Sequence, residues 1–108
     1  MTLLLTSPRF LDHDTGRHPE RAERLIQVTR HLDRQGLAEK CAQPSWKPLP
    51  VEKLGTIRDT AYAAEVAEFA RAGGGRIEAD TLVSPDSYDV ALYAAGAACG
   101  ATRRVVGG

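Results

Sequence analysis

Cysteine, histidine and aromatic residues are scarce in this chain, and each scarcity excludes something. Cys41 and Cys99 are the only two cysteines in 108 residues and stand far apart with no CxxC spacing. That excludes a disulfide framework or a cysteine-based zinc module and leaves two buried, reduced thiols as the expectation. The three histidines, His13, His18 and His31, include no adjacent pair, and no Asp-x-His occurs. Charge of one sign is not in excess either. Lys+Arg and Asp+Glu both total 14, so nothing argues for nucleic acid or an anionic membrane as partner. No apolar run approaches the ~18 residues of a membrane-spanning helix. The opening "MTLLLTSPRF" has too short an apolar segment, with no basic residue before it, for a secretory signal. A cytoplasmic protein is expected.

What is present reads as globular. Hydrophobic residues make up 43% and charged residues 26% of the chain, enough for one modest core in one domain at most. Residues 2–6, "TLLLT", suit a short buried strand closed by Ser7-Pro8. A polar loop follows over 9–17. Pro19 suits the first turn of a helix, with Glu20 and Glu23 at the positive end of its dipole. Leu25, Val28 and Leu32 then mark an amphipathic face that stops near Gly36. Pro44, Pro48 and Pro50 make 44–50 an extended connector, and Pro50 opens a short helical turn through Leu54. Asp59 is a candidate N-cap for a helix carrying Tyr62, Val66 and Phe69 on one face. Gly73, Gly74 and Gly75 end it, with Gly73 expected in the left-handed position. "RIEADTLVSP" reads as a polar loop. Ser84 and Pro85 then open the longest helix, running to about Val106, with a small-residue face of Ala91, Ala94, Ala95, Ala98 and Ala101.

This inventory is mostly helical with one strand, or two if residues 42–46 are extended. A lone strand leaves its backbone groups unsatisfied. Either residues 2–6 are not a strand or their partners are expected outside the chain, which reads as unfinished at "RRVVGG".

The chemistry concentrates in residues 12–25, "DHDTGRHPERAERL". His13, Asp14 and His18 are competent zinc ligands by type. The five-residue spacing, however, does not put both histidines on one helical face, and His31 lies well along the next helix. Neither cysteine has a histidine near it in sequence to activate it as a nucleophile. Read from the residues alone, His18 and Glu20 fix the start of a helix by hydrogen bonds, while Arg21 or Arg24 reaches a carboxylate.

The spacing Gly16-x-His18-Pro19-Glu20-Arg21-x-Glu23-Arg24-Leu25, preceded by His13-Asp14-Thr15, resembles the amino-terminal signature of the histone deacetylase family. The resemblance is closest to its bacterial deacetylase-like amidohydrolases and acetylpolyamine amidohydrolases. "LGTIRDTAYAAEV", "GGGRIEADTLVSPDSYDVAL" and "YDVALYAAGAACGAT" fall in the family's order and extend the likeness over essentially the whole chain. Ala22 stands where the family carries a second proline, and Arg58 where it carries a histidine.

The resemblance implies an α/β fold, the amino-terminal part of an arginase/deacetylase-like domain with a parallel sheet that would pair residues 2–6. It implies a zinc-dependent hydrolase of acetyl-lysine or acetylpolyamine amides. The zinc ligands and catalytic residues would follow Gly108, leaving no metal ligand and no catalytic residue in this chain. By the same likeness Asp80 matches a rim aspartate that holds substrate backbone N–H groups, and Arg24 an arginine beside an internal channel. His13, Asp14, His18 and Glu20 become supports of the loop. The implied partners are the acylated substrate and the remainder of the domain beyond Gly108, with homo-oligomerisation left open. The competing expectation is a non-catalytic helical interaction module, or a remnant of such an enzyme, whose alanine-rich helix binds a partner.

Overall fold

The computed structural model describes residues 2–56, 59–78 and 81–107, so Arg58 and Asp80 lie outside the described residues. A 3-10 turn (Pro8–Asp12) is followed by helix α1 (Ala22–Arg34), a second 3-10 turn (Ala38–Lys40) and helix α2 (Val51–Leu54). Helix α3 (Thr60–Arg71), strands β1 (Gly75–Glu78) and β2 (Thr81–Val83), and helix α4 (Ser87–Val106) complete the order.

Local chemistry explains where the helices stop and start. At the end of α1 the Leu37 amide donates to the Leu32 carbonyl and the Gly36 amide to Asp33. Gly36 sits at φ +68. This is the Schellman closure, which needs a residue without a Cβ penalty in the left-handed region. The same closure ends α3, where the Gly73 and Gly74 amides donate to Ala70 and Phe69. Asp59 caps α3 by accepting from the Ala61 amide at 2.9 Å. Helix α1 begins later than its proline suggests. Pro19 and Glu20 remain in the preceding loop and Arg21 is the N-cap, with no side-chain capping bond.

The strands differ more from expectation. Residues 2–6 form a single parallel bridge, Leu3 with Ala42, held by Leu4 N–H to the Ala42 carbonyl and Ala42 N–H to the Thr2 carbonyl. Among the described residues the other edge of that segment has no backbone partner. The expected polar loop after Gly75 is instead the antiparallel pair β1–β2, irregular between Arg76 and Glu78. It is the one named sheet among the described residues, and it is antiparallel.

Alanine and glycine, rather than large side chains, mark the closest packing. The buried apolar residues are Ala63 and Ala70 of α3 and Val90 and Ala97 of α4. Tyr62 and Phe69 of α3 stay exposed, because the buried stripe of that helix runs through its alanines. In α4 the closed side carries Ser87, Val90, Gly96 and Ala97, while Ala91, Ala94 and Ala98 are exposed. The expected alanine face is therefore mostly open. Large side chains gather in one place. Trp46 stacks on Tyr93 with ring centroids 4.6 Å apart, and Phe10 lies 5.9 Å from Trp46 and 5.6 Å from Tyr93. The Trp46 indole N–H donates to the Tyr93 carbonyl at 2.9 Å, so the cluster ties the first turn and the proline-rich connector to α4. Both cysteines are free, with Cys41 half-buried and Cys99 exposed rather than buried as expected.

The molecule is under-buried for its size. Its accessible surface is 7876 Å², against roughly 5,900 Å² for a folded monomer of this length. Its radius of gyration is 15.5 Å, against about 13 Å, and it is a slab only 18 Å thick. Leu25 and Val28, on the apolar face of α1, are 43% and 54% exposed. No described helix is long and apolar enough to cross a membrane.

Candidate functional site: the loop before the first helix

The loop between the first 3-10 turn and α1 is docked on the start of α4 by serine hydroxyls. Helix α4 begins at Ser87, two residues after the expected Pro85, so Ser84 lies in the turn ahead of it. There the Ser87 amide donates to the Ser84 carbonyl at 3.0 Å, and the Ser84 amide donates to Ser87 Oγ at 2.8 Å. This reciprocal pair is a variant of the capping box. Because the Ser84 hydroxyl is not spent on the helix, it accepts from the Asp14 amide at 2.9 Å and donates to the Asp12 carbonyl at 3.3 Å. His13 Nδ1 meets Ser87 Oγ at 2.5 Å. One hydrogen lies between these two atoms, on either side according to the imidazole tautomer.

The rest of the loop is folded on itself. Asp14 Oδ1 accepts from the Gly16 amide at 2.9 Å, a turn that Gly16 completes at φ +66. The Thr15 hydroxyl is buried and donates to the Glu20 carbonyl. His18 Nδ1 accepts from the Glu20 amide at 3.0 Å. Arg21 reaches Glu23 at 3.9 Å, an exposed pair worth little.

A Ser–His contact invites a nucleophilic reading, but the surroundings exclude it. Ser87 is only 9% exposed, and its oxygen already faces the Ser84 amide, the Ser84 hydroxyl and His13. An attacking oxygen needs a free lone pair aimed at an accessible carbon. Ser87→Ala is expected to cost about 2 kcal/mol of stability, because it strands the Ser84 amide and the His13 nitrogen together. Chemical unfolding, with Ser84→Ala and His13→Ala alongside to expose non-additivity, checks this.

Behind this loop lies a cavity of about 270 Å³ lined by Phe10, His13, Glu20, Arg24, Leu25 and Val28 among others. Of the two arginines expected to reach a carboxylate, Arg21 does so at Glu23, while Arg24 makes no ion pair among the described residues and lines the cavity. The structure thus brings His13, Glu20 and Arg24 to one pocket. It places Asp14 and His18 in the turn beside it, and Asp80 lies outside the described residues. Ser87 as the partner of His13 and Ser84 as the partner of Asp14 were missed by sequence reasoning. The Ser-Pro-x-Ser spacing, a capping pattern just before an apolar run, is the signal that marks them.

No family profile matches the chain. An uncharacterized protein of Synechocystis sp. is 35% identical over 100 residues, covering 87% of this chain and 32% of that protein. A probable deacetylase of Methanothermobacter thermautotrophicus is 24% identical over 96 residues, covering 89% of this chain and 28% of its own length. The chain therefore spans about a third of the curated relatives it matches. The crystal structure of the HDA15 HD domain superposes with a TM-score of 0.81 at 22% sequence identity, over 88% of this chain and 28% of that one. Over most of its length the chain has the fold of the corresponding part of a histone deacetylase domain.

Proposed function

We propose that these 108 residues are the amino-terminal portion of a zinc-dependent amidohydrolase that removes acyl groups from acetyl-lysine or acetylpolyamine substrates. The superposition on a histone deacetylase domain, of which the chain covers little more than a quarter, is the observation that carries this reading. The surface excess of roughly 2,000 Å² over a folded monomer of this length supports it, since a surface of that size matches a large interface. In this reading residues 2–6 join a parallel sheet through their unpaired edge, and the apolar face of α1 packs against the rest of the domain.

Zinc does not fit the residues described. No three His, Cys, Asp or Glu side chains converge among them. In this reading the ligands of the proposed enzyme would come from outside this chain. The chain's own contribution is positional. His13 and Asp14 hold the loop on α4 and His18 and Glu20 close its own turn, so that Arg24 lines a small cavity where its guanidinium would attract a carboxylate such as released acetate. Asp80 is assigned to the rim, where a carboxylate accepts substrate N–H groups through charge-assisted bonds.

The 108-residue chain with added zinc is expected to show no turnover of an acetyl-lysine peptide or acetylspermidine. The product of the longer open reading frame is expected to hydrolyse at least one of them, with activity lost on chelation. Asp80→Asn in that product is expected to lower kcat/KM by about a hundredfold, the loss of one charged substrate contact. An inactive longer product that binds no zinc would sink the reading.

A further inference from the structure

A second cavity, of about 480 Å³, lies on the other side of the aromatic cluster, between the proline-rich connector and the carboxyl-terminal half of α4. Its floor is Gly96, where the connector crosses the helix closely enough for the Leu49 amide to donate to the Leu92 carbonyl at 2.9 Å. Trp46 forms one wall. Four cations line it, namely Lys47 from the connector, Lys53 from α2, and Arg103 and Arg104 from α4, and no acidic residue does so among the described residues. None of the four has an ion-pair partner among the described residues. In a chain whose charges balance, this is a local excess of four positive charges around one concavity.

Helix ends explain part of the pattern and not the whole. Arg103 and Arg104 occupy the last turn of α4 and Lys53 the last turn of α2, where cations complement the partial negative charge of the helix. Residues of those two helices nevertheless line the same cavity as Lys47, which belongs to no helix, and all four cations are exposed at its mouth. Like charges held around one concavity repel unless an anion sits among them. The volume lies within the range of small-ligand sites and exceeds what one carboxylate fills. Guanidinium groups match phosphate oxygens with paired donors, and lysines add point charges.

We propose that this cavity binds a small oligophosphate, with Arg103 and Arg104 as the paired donors, Lys47 and Lys53 as flanking charges, and Trp46 at the wall. The site is separate from the loop pocket and does not depend on the amidohydrolase reading.

The test is titration of the 108-residue chain with inorganic tripolyphosphate at about 0.1 M salt. It is read by the fluorescence of Trp46, the single tryptophan, and in parallel by calorimetry. A saturable one-to-one response with half-saturation below about 1 mM is expected, with orthophosphate at least tenfold weaker. Removing the charges of Arg103 and Arg104 together (R103Q/R104Q) is expected to weaken binding about tenfold or more, at 3- to 5-fold per exposed charge. K47Q/K53Q should do likewise. The control R30Q/R34Q on α1, with the same change in net charge, should stay within twofold of the unaltered chain. Adenosine triphosphate separates the sources: equal affinity assigns the site to the phosphates alone, and tighter binding assigns it to a nucleotide. The proposal is overturned by three results. These are absence of saturation in both readouts, an equal loss in the R30Q/R34Q control, or an oligoglutamate peptide that binds more tightly than tripolyphosphate.

Discussion

Replacing Gly96 by valine is expected to cost the chain 3 kcal/mol or more and to shift the emission of Trp46 to longer wavelength. The glycine sits where the connector crosses α4, and a Cβ built there would overlap the Lys47 carbonyl oxygen and touch the Leu49 amide nitrogen at 3.0 Å. Both contacts are with backbone, so no side-chain rotation relieves them. The connector must lift. Lifting it breaks the Leu49–Leu92 hydrogen bond and the indole bond from Trp46 to Tyr93, and it opens the Trp46–Tyr93 stack. Overpacking alone typically costs 1–3 kcal/mol, and each lost hydrogen bond adds about 1 kcal/mol. Gly96→Ala should show the same direction with a smaller loss. Gly100→Ala is the control, since a Cβ there meets only Trp46 Cβ at 3.8 Å, an ordinary contact. If Gly96→Val unfolds at the same denaturant concentration as Gly100→Ala, the crossing is not as close as described.

The elements legible in the sequence were those whose signals are local. Gly36 and Gly73 ended helices where the periodic residues stopped, because the left-handed closure needs a residue without a side chain at that spot. Asp59 capped α3 because an aspartate before an apolar stripe has few better uses. The hairpin of β1 and β2 was not legible. Its strands are four and three residues long, too short for an alternating pattern to rise above a polar loop. Burial was misjudged in α3 and α4 for a related reason. Periodicity finds the face with large apolar residues, Tyr62 and Phe69, but the chain's own contacts are made by Ala63, Ala70, Gly96 and Ala97. Small residues allow backbones to come close, and that approach depends on what the helix meets rather than on its own pattern.

For the loop site, the crowding of polar groups in residues 12–25 was visible, and so was the poor ligand spacing of His13 and His18. The identity of their partners was not. The contact from His13 to Ser87 spans 74 residues and that from Asp14 to Ser84 spans 70, and no pattern within either segment points to the other. Arg24 shows the same limit. Its place on α1 follows from the periodicity, but only the fold shows that it lines one cavity with His13 and Glu20.

Leu25→Glu is expected to have opposite consequences in the 108-residue chain and in the longer protein proposed above. Leu25 lines three separate cavities on the open side of α1, and Val28 lines two of them. With Leu25 43% exposed, a glutamate there keeps its carboxylate in water. The cost to the chain alone should stay within about 0.5 kcal/mol, as for surface changes away from packed contacts. The same substitution should also reduce self-association of the chain, because it places charge on an apolar face that otherwise invites another copy. If the proposed longer protein exists, that face would be covered there by further domain structure. There the substitution removes a buried leucine and strands a carboxylate in an apolar contact, and it is expected to cost 3–5 kcal/mol. Unfolding of both proteins in denaturant, with sedimentation of the short chain at several concentrations, reads all three effects. Equal and small losses in both would mean that α1 stays open to solvent in the longer protein as well. The surface excess of the chain would then belong to the native molecule, and its covering by further domain structure would have to be abandoned.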